Sequence, residues 1–425
     1  MSSGRVNGRK SMDVRIIRSM CTGLVFGGLA ASASAQTLEM QTGVGGPAGN
    51  GPTVAAQVVT MRHNSNNPTG NTFAARTPAI TVTYTLFNQQ YTGLTPAQGF
   101  PASTGGAAVM FGSTLNTGIN PAAVAVYGPM NAFGAPNNAM FTSNGNSTTG
   151  TGVDVAANGS VAVFISTRAL AAQPIGTQPA TTARVRLADL RLTFSEPVAH
   201  PIIHFSGLGG FASAVGLPPL GFTAEFDLIT PALTLTELSG NAAMSAGGTS
   251  VNSAAISPNA SCANADEAAC GSARVNGTGI TEIVFRVFIN GDGNGPSWNA
   301  RPDWHSGEVF KIGVSLNPIA DLAVTKTNTP GVNGDADQTG DTAVRGATRT
   351  YLLRVTNHGP DPVAGARVTD TPLSGIACPG TNTVTVVQPS GTTYSTVGAL
   401  TGAGITLGLL GSGQNAALSF DCVVN

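Results

Sequence analysis

Charge and aromaticity are what this 425-residue chain has least of: Asp, Glu, Lys and Arg make up 10% and Phe, Trp and Tyr 6%. No cluster of Lys and Arg follows Arg18, and without one a protein cannot neutralise the closely spaced phosphates of a nucleic acid. Nucleic acid is therefore not an expected partner. No run of roughly twenty apolar residues is present, so no transmembrane anchor is expected. The chain also lacks HExxH, GxSxG, CxxC and P-loop motifs, which removes the enzyme classes that sequence patterns identify best. Strands never alternate with long amphipathic helices, which argues against a parallel α/β sheet.

What fills the chain instead is 55 Gly and 26 Pro, with Thr, Ser, Asn and Ala. That composition suits short strands joined by many turns, and the length suits two domains, each with its own core. Residues 1–35 read as a separate segment. Arg5, Arg9, Lys10, Arg15 and Arg18 form a basic region, Cys21 to Ala31 is small and apolar, and Ala33-Ser34-Ala35 ends in an A-x-A pattern. This is the pattern of a secretory signal peptide cut after Ala35. Cys21 stands at the start of the apolar stretch, whereas a lipid-modified cysteine would stand at its end. Cleavage would remove five of 20 basic residues and one of 21 acidic ones, leaving 15 against 20 and a net charge of −5. The remaining cysteines, Cys262, Cys270, Cys378 and Cys422, are expected to pair as 262 to 270 and 378 to 422, each bridge inside one domain of an exported protein.

Ile80 to Phe87 reads ITVTYTLF: Ile80, Val82, Tyr84 and Leu86 share one face and three threonines the other, the period of two of a half-buried strand. Strands are likewise expected at 161–166, 184–194, 201–207, 222–229, 233–238, 281–289 and 309–316. Eight strands without intervening helices imply an all-β fold, a jelly-roll-like sandwich over 36–318. Residues 88–158 and 239–272 are rich in Gly, Ser, Asn and Ala, which predicts loops or loosely ordered surface.

The chain changes character at Pro318 to Ala320, where a second domain, 319–425, is expected to begin. Its strand RTYLLRVTN, Arg349 to Asn357, ends at HGPDP, whose prolines remove ladder donors, and GARVTD resumes the extended pattern. DLAVTKT, VTNHGPDPVAG and ARVTDTPLSGIAC closely resemble the DUF11 repeat domain of bacterial surface and secreted proteins, over Asp321 to Asn425. The resemblance implies an immunoglobulin-like β-sandwich acting as a structural or spacer module. FSEPVAHPIIHFSGLGG, LTLTELSGN and GSARVNGTGITEIVFRVFINGDG resemble, more distantly, the domain that often precedes such repeats in envelope proteins.

Several residues carry candidate chemistry. WNARPDWHSGE holds both tryptophans, Trp298 and Trp304, beside Asp303, His305 and Glu308. An exposed Trp flanked by polar groups can stack on a sugar, although a Trp more often packs a core. Asp335, Asp337 and Asp341 lie in one Gly-rich loop and supply oxygen ligands of the kind calcium takes, or a solvated acidic turn. Asn290 to Gly295 starts like a calcium-binding EF-hand loop, but Arg301 occupies the twelfth position, so a plain turn is expected. His200 and His204, four apart on an expected strand, would share a face but lack a third metal ligand. GLGGFASAVG, Gly207 to Gly216, opens no helix and reads as a turn. Glu196, Glu225, Asp227, Glu237 and Glu282 could serve glycoside cleavage only if two converged. Lys326 with Asp421 or Asn425 has the residue types of an isopeptide crosslink, against the ordinary reading of an exposed lysine. The expectation is a secreted or cell-surface, non-enzymatic structural or adhesion protein meeting an envelope or extracellular polymer, glycan or protein. A carbohydrate-binding protein, with calcium as its one conceivable cofactor, is the alternative, and an extracellular hydrolase the third.

Overall fold

A computed structural model describes residues 34–425 except 36, 97–101, 117–120, 144–147, 175, 213–217, 254–260, 264–267, 296, 299–306, 318, 339–342, 360 and 372–374. The chain is almost entirely antiparallel strand and divides into two units between Asn317 and Pro318.

The larger unit, Thr37–Asn317, is two sheets packed face to face. The first is built on strands Val109–Phe111, Gly159–Ser166, Gly307–Leu316, Ile202–Leu208, Ala269–Asn276 and Thr234–Gly240, in that lateral order. The second runs Gln57–Thr60, Thr81–Phe87, Arg184–Val198, Ile280–Gly291 and Leu220–Leu228. At one end the hairpin Met244–Gly248 and Ser250–Ser253 carries hydrogen bonding from Thr234–Gly240 round to Leu220–Leu228. At the other, the chain steps from Gln57–Thr60 through buried Met61 into Arg62–Asn64, which pairs with Thr37–Glu39 beside Gly307–Leu316.

Alternation explains the packing. The apolar members of each strand point inward, so Phe205 and Phe310 of the first sheet meet Phe226 and Phe285 of the second, with centroids 5.0 to 6.1 Å apart. Tilted and edge-on rings at these separations add to their area burial. In Thr81–Phe87, Val82, Tyr84 and Leu86 are buried and the threonines half-buried, as a strand with one wet face requires.

The first sheet differs: in Ile202–Leu208 every residue is buried. Its outer face is covered by parts of the two segments whose composition predicted loops. Met130, Met140, Phe141, Val153 and Val155 gather with Cys262, Ala268 and Cys270 into a small separate core, tied by the Cys262–Cys270 disulfide. These apolar residues have no strand or helix period, so composition concealed them.

The smaller unit, Pro318–Asn425 together with Ser34–Ala35, is a sandwich of its own. Leu322–Thr327, Thr348–Asn357, Asn415–Val424, Thr383–Gln388 and Gly391–Thr396 form one sheet in that order. Short pieces Val363–Ala364 and Arg367–Val368 pair with residues around Ile405–Leu410. Tyr351 stacks on Phe420 in a core shared by Leu353, Val355, Val386, Leu400 and Leu418, and Cys378 bonds Cys422. The backbone of Ser34–Ala35, just before the expected cleavage point, pairs with Val363–Ala364. Among the described residues no helix is long and apolar enough to cross a membrane.

Candidate functional site

The tryptophan cluster anticipated from sequence does not form a stacking surface at Trp298. That ring is buried in the core of the larger unit, lies against Gly291, and its Nε1 donates to the Pro179 carbonyl at 2.9 Å. Asp303, Trp304 and His305 lie outside the described residues. Glu308 is also buried, on the core face of its strand. Its Oε1 accepts the Gly209 N–H at 2.6 Å, and Oε2 has no hydrogen-bond partner among the described residues. Burial pushes its carboxyl up to about 8, against the opposing pull of backbone N–H groups.

The acidic loop is likewise committed. Asp335 accepts the Gly331 N–H at 2.8 Å and pairs with the Arg354 guanidinium, which together lower its pKa. Asp337 is half-buried, and Asp341 lies outside the described residues. Asp292 bonds both the backbone and side-chain nitrogen of Asn294 at 2.8 to 2.9 Å, a closed Asx-type turn. Among the described residues, no group of three His, Cys, Asp or Glu side chains is placed to hold a metal.

His200 and His204 are not brought together. His200 sits in a bend with φ of 50°, ahead of the strand that begins at Ile202, and faces the Gly277 N–H. His204 is buried on the outer face of the first sheet, where Nδ1 lies 2.8 Å from Ser272 Oγ and Nε2 2.8 Å from Ser315 Oγ. Ser272 in turn accepts the Thr142 N–H at 3.0 Å, and the Phe141 ring stands edge-on to the imidazole. These distances suit a serine–base pair. The surroundings do not: both nitrogens face hydroxyls, no carboxylate among the described residues bonds the ring, and burial lowers its pKa to about 3.

Around His204 runs a polar layer that no motif announced. Glu39, opposite Ser315 in the ladder, is fully buried and receives Asn67 Nδ2 at 2.6 Å and Asn64 Nδ2 at 2.9 Å. Asn67 also donates to Ser143 Oγ at 2.7 Å, so the carboxyl is linked to the covering segment. Burial raises Glu39 to about 7, although these hydrogen bonds oppose it. Lys311 is buried with its Nζ 5.7 Å from the Phe133 centroid, and burial lowers it to about 8. The only sequence trace of this layer is polar residues on strands whose other faces are apolar.

Four of the carboxylates considered for glycoside cleavage, Glu196, Glu225, Asp227 and Glu282, lie on strands of the second sheet, and each is paired with an arginine. Arg184 bonds Glu225 at 2.5 Å and clasps both oxygens of Asp227 at 2.8 and 3.1 Å. Arg186 and Arg286 share Asp189, and Arg191 meets Glu282 at 3.0 Å. Arg76 pairs with Glu196; the fifth, Glu237, is on Thr234–Gly240 of the first sheet and accepts the Ala246 N–H. The aromatic rings on the second sheet's outer face are covered as well: Arg184 lies 3.6 Å over Phe288 and Arg191 4.5 Å over Phe87. This arrangement holds a sheet together; a sugar would find no bare ring on Phe87 or Phe288.

In the smaller unit Lys326 is not an exposed lysine. Its Nζ lies 2.8 and 3.0 Å from the two oxygens of Asp370, whereas Asp421 accepts the Thr350 hydroxyl. No known protein family, curated protein or solved structure matches this chain.

Proposed function

We propose that this is an extracytoplasmic, non-enzymatic structural or adhesion protein: a large β-sandwich followed by a smaller one that resembles a DUF11 spacer module. The carrying observation is the mutual neutralisation of the second sheet's outer face, where Arg184, Arg186, Arg191 and Arg286 are matched by Glu225, Asp227, Asp189 and Glu282. Glu39, His204, Glu308 and Lys311, each with a proton affinity displaced by burial, all lie inside the larger unit. Catalysis needs such groups within reach of a substrate. A disulfide in each unit supports an oxidising compartment, and the A-x-A pattern before Gln36 supports export.

The test is expression from the full coding sequence, followed by fractionation into cytoplasm, envelope and medium. The expected product begins at Gln36, has four oxidised cysteines and co-sediments with envelope polymer. Recovery from the cytoplasm with free thiols and an intact N-terminus would overturn the reading.

A further inference from the structure

The chain contains 17 arginines and only three lysines, Lys10, Lys311 and Lys326. Both lysines among the described residues are inside: Lys311 is 1% exposed, and the Lys326 side chain 12%. This inverts the usual pattern, since lysine is almost never fully buried. Arginine, more weakly hydrated and able to form two parallel hydrogen bonds, is the common choice for a buried ion pair. It is also the cation in each ion pair described above other than that of Lys326. The chemical property that lysine has and arginine lacks is a primary amine that can be acylated.

At Lys326 that amine meets its acyl group. Asp370 is 2% exposed, both of its carboxyl oxygens contact Nζ, and the Tyr351 ring centroid lies 5.0 Å from the nitrogen. Lys326 belongs to the edge strand Leu322–Thr327, and Asp370 follows Arg367–Val368, which pairs in a different sheet. We propose that Lys326 and Asp370 condense into an intramolecular isopeptide bond. The ammonium passes a proton to the carboxylate oxygen it touches, and the freed amine attacks Cγ. The Nζ–Cγ bond forms, the Cγ–O bond breaks, and the departing oxygen leaves as water with the second amine proton. In sum, −NH3+ and −COO− become −CO−NH− and H2O, with no oxidant or further reactant. Exclusion of water disfavours the reverse hydrolysis, and converting two ions to one amide removes the burden of holding charges in a dry site. The crosslink would join the two sheets at a point separate from the Cys378–Cys422 disulfide.

The experiment is intact mass spectrometry of the full chain, denatured, reduced and alkylated, with peptide mapping. Wild-type protein is expected to be one water lighter than its sequence requires, with the Lys326 peptide joined to the Asp370 peptide. Lys326→Arg, which keeps a cation for Asp370, and Asp370→Ala should each restore the full mass. Because the chain is read unfolded, a poorly folded variant does not obscure the result. A wild-type mass equal to the sequence mass, or a deficit mapped elsewhere, would overturn the proposal and leave the reading of the protein as structural or adhesive untouched.

Discussion

His204 and Ser272, on adjacent strands of the first sheet, share a 2.8 Å contact beneath the Phe141 ring. The imidazole is a structural post: it bridges two serine hydroxyls that would otherwise face an apolar cover. His204→Ala should destabilise the larger unit by about 2 to 4 kcal/mol, through a cavity and the loss of the imidazole as a partner for the Ser272 and Ser315 hydroxyls. The pH dependence has a definite sign. Burial depresses the folded-state pKa to about 3, so between about 3 and the ordinary value near 6.5 the unfolded chain binds a proton that the folded one refuses. Stability contributed by this site therefore rises with pH through that window. Urea denaturation should show a smaller rise between pH 4 and 6.5 in the variant; an unchanged profile would contradict the assignment.

The two buried glutamates act in the opposite direction. Folded Glu39 and Glu308 hold protons up to about pH 7 and 8, whereas the unfolded carboxyls release theirs near 4.5. Their contribution falls as pH rises through those windows and is fully lost above them. Glu308→Gln keeps the carbonyl that accepts the Gly209 N–H while removing the ionisation. At pH 8.5 the variant should exceed the parent in stability by on the order of 3 kcal/mol, and the difference should shrink toward pH 4.5. A difference independent of pH, read from denaturant midpoints, would show that Glu308 is not the titrating group.

All eight strands expected in the larger unit are present, because each is an extended run of apolar residues, alternating in most with polar ones. ITVTYTLF is the clearest case. His204, Ser206, Ser272 and Ser315 are polar residues on the side of their strands away from the sandwich core, yet all four are buried. They are dry because parts of 127–158 and 241–270 fold over them, and that cover depends on contacts distant in sequence. Trp298 illustrates the converse limit. Its neighbours in sequence are polar, but its neighbours in space are Gly291 and the Pro179 carbonyl. Period reveals which side of a strand is apolar; it does not reveal what the other side meets.

Two arginines on the second sheet should respond very differently to truncation. Arg184→Ala leaves Glu225, whose side chain is 7% exposed, with only the Asn290 amide as its described hydrogen-bond donor. Such an uncompensated charge should weaken folding by about 2 to 3 kcal/mol. Arg191→Ala releases Glu282, which is 44% exposed, and should change stability by less than about 1 kcal/mol. Equal effects in parallel chemical denaturation would show that burial of the partner does not set the scale.

Calcium should leave the smaller unit unaffected at Asp335. Arg354 and the Gly331 N–H already occupy the carboxylate, and Arg354 cannot give up its charge. The expected outcome is a melting curve that superimposes in millimolar calcium and in chelator. A calcium-dependent shift abolished by Asp335→Asn would reassign the loop as a cation site.

The two disulfides should differ in weight. Cys378 and Cys422 are 44 residues apart and Cys262 and Cys270 only eight. Constraint of the unfolded chain grows with the loop enclosed, giving about 4 kcal/mol for the longer bridge and about 2.5 for the shorter. Cys422 is buried in the core of the smaller unit, so Cys378→Ala/Cys422→Ala should accelerate amide hydrogen exchange across Thr348–Asn357 and Asn415–Val424, the strands beside the lost bond. Cys262→Ala/Cys270→Ala should instead loosen the small core around Met130, Phe141 and Val155, leaving Phe205 and Phe310 protected between the two sheets. Exchange that spread evenly through the larger unit in this second variant would mean that the cover and the sandwich beneath it open as one.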